Sequence, residues 1–250
     1  MGATVERTGA AVVVTLRWTD RRNALGPDEA VELGDAVLEA SADETASALV
    51  LAGEGAFCAG GDLRAFAEVS AKHTPEEIRT TVYGKVQRIV RALRDAPLPT
   101  IAAIDGAAVG LGADLALACD TRFLGPAGWL RQGWGTAGLI SATGGTWFLE
   151  GARRGLLWEL LADQPRLGPD EAVARGLADD AAGATGLDAA LARAEKLAAI
   201  PRDVLTAYTV LARPKTWPED EYFERCADYQ SRFIGSQRFR DLAAKVLGDA

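Results

Sequence analysis

Gly53-Glu54-Gly55-Ala56-Phe57-Cys58-Ala59-Gly60-Gly61-Asp62-Leu63 and Gly106-Ala107-Ala108-Val109-Gly110-Leu111-Gly112-Ala113-Asp114 are the stretches whose reading decides the fold. Each follows a short apolar run, residues 47–52 (SALVLA) and residues 99–104 (PTIAAI), and both runs read as buried strands. Glycine lets a backbone approach a ligand closely and leaves N–H groups free to donate. Neither stretch is a dinucleotide fingerprint: Cys58 in one and Leu115 in the other stand where the third glycine of G-x-G-x-x-G belongs. No G-x-x-x-x-G-K-[ST] loop occurs. Taken singly, each stretch is equally well a tight turn between a strand and a helix.

Working outward, the alternation of Val12, Val14 and Leu16 predicts a strand that leads into Arg21-Arg22-Asn23-Ala24-Leu25. Pro27-Asp28-Glu29 makes a good first helical turn, with proline at the start and acids facing the dipole, and the helix runs to about Ala42. Helical periodicity continues in Ile78, Val82, Val86, Ile89 and Val90, predicting a helix over residues 75–93. Residues 106–119 read as a loop entering a helix. From Asp188 onward the pattern is helical, broken at Ile200-Pro201 and near Arg213-Pro214. Strands alternating with helices imply crossover connections and an α/β fold.

The 250 residues suffice to bury a sizeable core, and 48% hydrophobic with 25% charged residues is ordinary for a globular chain. A net charge of −8 argues against a nucleic-acid partner or an anionic membrane surface. A polyanionic ligand must then be met by local arginines and helix N-termini. Three dispersed cysteines, Cys58, Cys119 and Cys226, suggest neither a disulfide framework nor a zinc site. Glu6 and Arg7 interrupt any signal-peptide run, and Asp105, Asp114 and three glycines interrupt the longest apolar stretch, residues 100–119. The expectation is a soluble, cytoplasmic protein with no membrane partner.

In this order and spacing, the elements resemble the crotonase (enoyl-CoA hydratase/isomerase) superfamily over roughly residues 5–180. Arg22-Asn23-Ala24-Leu25 matches its asparagine-alanine-leucine element, and Phe57 to Leu63 matches its F-[CS]-A-G-x-D-[LI] turn. Gly106 to Leu115 matches G-x-x-x-G-x-G-x-[DE]-L and closes on Cys119-Asp120; Gly144-Gly145-Thr146 and residues 172–177 (AVARGL) match later elements. The resemblance implies a spiral of ββα units in a core over residues 1–195, then a C-terminal helical trimerisation region over residues 196–250. It also implies an acyl-CoA thioester as ligand, with no cofactor beyond the CoA moiety of the substrate, and a homotrimer or homohexamer.

The same resemblance carries residue roles. Gly61 and Leu111 would supply two oxyanion-hole N–H groups for a thioester enolate, the second at a helix N-terminus, where unpaired N–H groups and a partial positive charge suit an anion. Leu111 replaces the usual glycine but keeps the donor. Asp114, one turn on, takes the place of the first hydratase glutamate, with a dipole-facing acid as its bland alternative. The second glutamate's place falls on Trp134, which cannot move a proton at neutral pH and can line a pocket. Arg21, Arg22, Ala24, Ala59, Asp62, Leu63, Arg64 and Gly110 complete the expected CoA and acyl contacts; for Asp62 a structural role is favoured, and the arginines are equally well solvated charges.

Tyr83 and Gln87 are candidates for a polar group in the acyl pocket, and His73 reads as exposed in a loop (SAKHTPEE). The expected activity is an enolate-stabilising reaction with Asp114 as sole acid/base: isomerisation, decarboxylation, hydrolysis or impaired hydration. The alternative is a non-catalytic acyl-CoA or acyl-carrier binding protein on the same scaffold. A serine hydrolase would need His73 with Ser141, but Ser141 lies outside any G-x-S-x-G.

Overall fold

The alternation of side chains along residues 11–16 and 48–53 sends one set to each face of a single sheet, and the fold of this computed structural model, which describes residues 2–213 and 220–248, grows from it. Strands β1 (Ala3–Thr8) and β2 (Ala11–Leu16) form an antiparallel hairpin. Helix α1 (Pro27–Ser41) returns the chain to β3 (Ala48–Gly53), parallel to β2 with Val13 opposite Val50. Then follow α2 (Leu63–Lys72), α3 (Pro75–Glu77), a π-helical segment Ile78–Val82 and α4 (Tyr83–Asp95). Strand β4 (Thr100–Ile104) pairs parallel with β3, and beyond β5 (Ala107–Val109) and α5 (Leu111–Ala118) the strand β6 (Thr121–Leu124) pairs parallel with β4. The sheet order is β1-β2-β3-β4-β6.

Both sheet faces are covered, as parallel strands require. Val12, Val14, Leu16, Leu49, Leu51 and Ile104 enter the main core. Val13, Val50, Ile101 and Ala103 face a second core, closed by Ala190 and Ala194 of a later helix. A second, narrower layer explains the spiral. Strand β5 pairs with β7 (Trp129–Arg131), and single bridges join Leu25 to Gly61, Cys58 to Ala108 and Leu130 to Leu167. Each turn of chain thus gives a strand to the large sheet, an extended piece to the small layer, and then a helix. Residues 106–119, expected as a loop entering a helix, contain β5, too short to show periodicity of its own. Helix α5 is buried on every side, so its N-terminus is delivered into the interior.

Past β7 come α6 (Gly145–Ala152), α7 (Leu156–Asp163), α8 (Pro169–Ala174) and α9 (Gly186–Leu197), the last being the helix that supplies Ala190 and Ala194. The break expected at Ile200-Pro201 falls between α9 and α10 (Arg202–Ala212). Of the second expected break, Arg213 ends α10 and Pro214 lies outside the described residues. Helices α11 (Asp220–Ile234) and α12 (Gln237–Gly248) fold back onto α2, α3 and the π segment. The stretch SAKHTPEE is not a loop: Ser70 to Lys72 end α2, His73 caps it, and Thr74 starts α3 with a reciprocal Thr74–Glu77 capping box. His73 is exposed, as expected, with Glu77 3.9 Å away. No helix among the described residues is long and apolar enough to cross a membrane.

Candidate active site

Where the two glycine-rich stretches meet, their backbones touch. A methyl group placed at Gly60, whose φ is +112°, would sit 2.9 Å from the Val109 carbonyl oxygen and 3.9 Å from the Leu111 nitrogen. Leu25 N–H donates to Gly60 O and Asp62 N–H to Leu25 O, both at 2.9 Å, which uses the groups on either side of Gly61. The Gly61 and Leu111 N–H groups themselves donate to no acceptor among the described residues. Leu111 is the first residue of α5, where an N–H has no intrahelical partner.

Both residues line a cavity of about 160 Å³, shared with Ala59, Leu63, Gly110 and Trp134 among the expected contacts. The lining is mostly apolar and, among the described residues, carries no charged side chain. Arg21, Arg22, Ala24, Asp62 and Arg64 lie outside it. Asp62 is the N-cap of α2, its Oδ1 accepting from Arg64 N at 2.8 Å and Ala65 N at 3.3 Å, and Arg21 is held by Glu29 at 2.9 Å and Asp62 at 3.4 Å. Both are therefore engaged in holding the start of α2 against α1. Arg22 and Arg64 are exposed. The Arg22–Leu25 element borders the cavity rim, since Ala59 N–H donates to Arg22 O at 3.0 Å.

Asp114 stands behind this cavity rather than in its lining. Its Oδ2 accepts from Trp134 Nε1 at 3.0 Å, Ser141 Oγ at 2.7 Å and Thr143 Oγ1 at 2.6 Å. Burial pushes its carboxyl up to about 6, against the pull of the three donors. On the other side, any side chain at Gly145 would collide with Asp114 Oδ1, and Gly145 N–H donates to Ser141 Oγ at 2.8 Å. Trp134 and Thr143 line the cavity, so two of the three donors separate Asp114 from it. That Trp134 and Asp114 bond to each other was not read from the sequence. Ser141 serves this carboxylate, while His73 is a surface helix cap.

Of the two pocket candidates on the central helix, Tyr83 lines the cavity. Gln87 does not: its Nε2 donates to Ala142 O at 2.9 Å and Phe223 O at 3.0 Å, tying α4 to α11. Gln230, Ile234 and Phe239, from α11 and α12, also line the cavity and carried no sequence signal. Ser141 and Thr143, two apart, show the spacing that puts hydroxyls on one side of extended chain, a signal without an address. Among the described residues no metal-binding set of three or more His, Cys, Asp or Glu side chains gathers.

The sequence profile of the family described as Enoyl-CoA hydratase/isomerase matches residues 6–242. A "Probable enoyl-CoA hydratase EchA14" of Mycobacterium tuberculosis is 36% identical over 218 residues, covering 82% of this chain and 79% of its own. A solved enoyl-CoA hydratase/isomerase from Mycobacterium paratuberculosis superposes with a TM-score of 0.86 at 26% identity, covering 97% of each chain. An enoyl-CoA hydratase from Bacillus halodurans superposes with 0.88 at 17% identity, over 98% of this chain and all of its own, a likeness of fold alone.

Proposed function

The chain belongs to the enoyl-CoA hydratase/isomerase family of the crotonase superfamily, and on that premise we propose that it binds an acyl-CoA thioester and stabilises its enolate between the N–H groups of Gly61 and Leu111. The observation that carries this is the pair of unengaged N–H groups at the edge of an apolar cavity. In a water-poor site each such donor lowers the barrier by about 2.7–4 kcal/mol. Arg22 and Arg64, exposed beside the rim, are proposed to meet the CoA phosphates, with Arg21, Ala24 and Asp62 holding that rim in shape. No cofactor beyond the CoA moiety enters the scheme.

Asp114 is the proposed single acid/base. A carboxyl near 6 is ionised at neutral pH yet basic enough to take a proton, and close to the value a general base works best at. Because Thr143 both lines the cavity and donates to Asp114, the proton moves through its hydroxyl: Thr143 gives its proton to Asp114 as it takes one from the substrate carbon. Syn hydration of an enoyl thioester uses two carboxylates to hold and split one water. With Trp134 in the second position, proton abstraction or return, as in isomerisation or decarboxylation, is favoured over hydration.

Incubation with enoyl-, β-keto- and malonyl-type CoA thioesters, read by mass spectrometry, tests this. One class is expected to turn over, with crotonyl-CoA hydration far below the on-the-order-of hundreds per second of an efficient enzyme. Fast hydration would overturn the single-acid mechanism. Tight binding without any turnover would restore the non-catalytic alternative. Thr143→Val should slow turnover and Thr143→Ser restore it; an unaffected Thr143→Val would remove the relay.

The remaining proposals concern assembly and place in the cell. Residues 196–250 are proposed as an oligomerisation region following a core over residues 1–195, in a homotrimer or homohexamer, in the cytoplasm. Exposed Tyr208, Val210 and Leu211 on α10, each more than 60% accessible, support such an interface. Light scattering that finds a stable monomer at micromolar concentration would refute it.

A further inference from the structure

The cavity has a second polar wall far from the thioester-binding N–H groups in sequence. Gln230 on α11 is wholly buried and lines the cavity. Its Oε1 accepts from Ile140 N–H at 2.9 Å, and that donor fixes the amide, because an NH₂ group cannot receive it. The other end, Nε2, is therefore a donor, buried, with no hydrogen bond of close geometry among the described residues and with the Tyr83 side chain as its polar neighbour. Beside it stands Tyr83, the first residue of α4 after the π segment, which lines the same cavity and has the Gln230 side chain as hydrogen-bonding neighbour. Burial raises the Tyr83 pKa, so the group remains a phenol, able to donate and to accept but not to act as a base.

Buried polar groups are normally well paired, and a buried donor with so loose a pairing calls for an explanation. We infer that Gln230 Nε2 and the Tyr83 hydroxyl form an acyl-recognition subsite that selects thioesters whose acyl group carries an uncharged oxygen. This rests on the acyl-CoA reading above and narrows its substrate class. A pure hydrocarbon chain would fill the space and give the Gln230–Tyr83 pair no acceptor. An acyl group ending in a carboxylate would bring a charge into a lining that has no cation to meet it. A hydroxyl or keto oxygen gives that pair an acceptor through Tyr83, which lines the cavity and is backed by Gln230. Sites that hydrogen-bond a substrate oxygen reject the analogue lacking it, because the site's own polar groups are left unpaired.

The test is titration calorimetry with matched thioesters that do not hydrate: butanoyl- against γ-hydroxybutanoyl-CoA, hexanoyl- against ω-hydroxyhexanoyl-CoA, and benzoyl- against para-hydroxybenzoyl-CoA. Wild type should bind at least one oxygenated member about ten- to a hundredfold more tightly than its partner. Tyr83→Phe and Gln230→Leu should each erase most of that preference while leaving the affinity for the hydrocarbon member within about threefold. Tyr83→Phe removes one oxygen and no backbone partner, so it reports even if Gln230→Leu fails to fold. Binding of all six without preference, or a preference that survives Tyr83→Phe, overturns this inference alone. Binding of none overturns the acyl-CoA reading and this inference with it.

Discussion

Two aspartates stand at the two ends of α5, Asp114 buried and Asp120 partly buried, and they titrate in opposite directions. Asp114, in the helix's first turn, is pushed up to about 6; Asp120, just past its C-terminus, is held below the ordinary carboxylate range. The helix dipole predicts the reverse, since it favours an anion at the N-terminus, but it is worth only about 0.3–1 kcal/mol. Partners decide instead. Burial disfavours both anions, but Asp120 faces Arg213 at 2.8 Å and Arg94 at 3.5 Å and accepts from Thr100 N–H at 2.8 Å and Thr100 O–H at 3.0 Å. Asp114 has only neutral donors, Trp134, Ser141 and Thr143, which reduce its desolvation without cancelling it. The difference separates a carboxylate that holds the fold from one left close to neutrality, where a proton can come and go.

Asp114→Asn should show the largest effect, a loss of about 10²–10⁴-fold in turnover, or about 2.7–5.5 kcal/mol of barrier, with acyl-CoA affinity kept within about tenfold. Turnover unchanged in that variant would break the contrast, making Asp114 as structural as Asp120. Asp120→Ala should cost stability instead, about 3–5 kcal/mol in denaturant unfolding, because two mostly buried guanidinium groups lose the carboxylate they share. A cost below about 1 kcal/mol, typical of exposed pairs, would show that those arginines are solvated without it.

The pH dependence of stability follows next in size. A carboxyl raised from 3.8 to about 6 on folding contributes stability in its protonated form, fully present below pH 3.8 and lost as pH rises to about 6, a change of roughly 3 kcal/mol. Asp120, lowered, acts with the opposite sign: its contribution is present above pH 3.8 and lost as pH falls through its folded value. Between pH 4 and 6 the difference in unfolding free energy, Asp114→Asn minus wild type, should therefore grow with pH; a flat difference would contradict Asp114's raised value. Smallest is Trp134→Phe. Losing one donor to the anion should move the acid limb of the pH–rate profile upward by about one unit, and a limb that stays in place would mean the indole N–H does not act on the charged form.

The strands of residues 48–53 and 100–104 were legible because each is a short apolar run bounded by glycine or proline, and α1 because Pro27-Asp28-Glu29 is a strong start. Strand β5 and the end of α2 at His73 were not, since three residues carry no period and a helix end running into a capping box is easily read as a polar loop, although the helix starting at Pro75 was expected. Asp62's structural role was legible for the same local reason: an N-cap bonds within three residues of itself. Gln87 and Tyr83 share a helix and looked equivalent; only the packing of α11 ties one into the core and leaves the other at the cavity.

Sequence by itself therefore determined the family, the glycine-bearing turns and the positions of Gly61 and Leu111, because backbone conformation and helix starts depend on a few consecutive residues. Tertiary structure alone decided that Trp134 bonds Asp114, that Asp114 and Asp120 part in acidity, and that Gln230 meets Tyr83. Proton affinity and cavity polarity belong to a group's neighbours in space, and in this chain those neighbours come from loops and helices far along it.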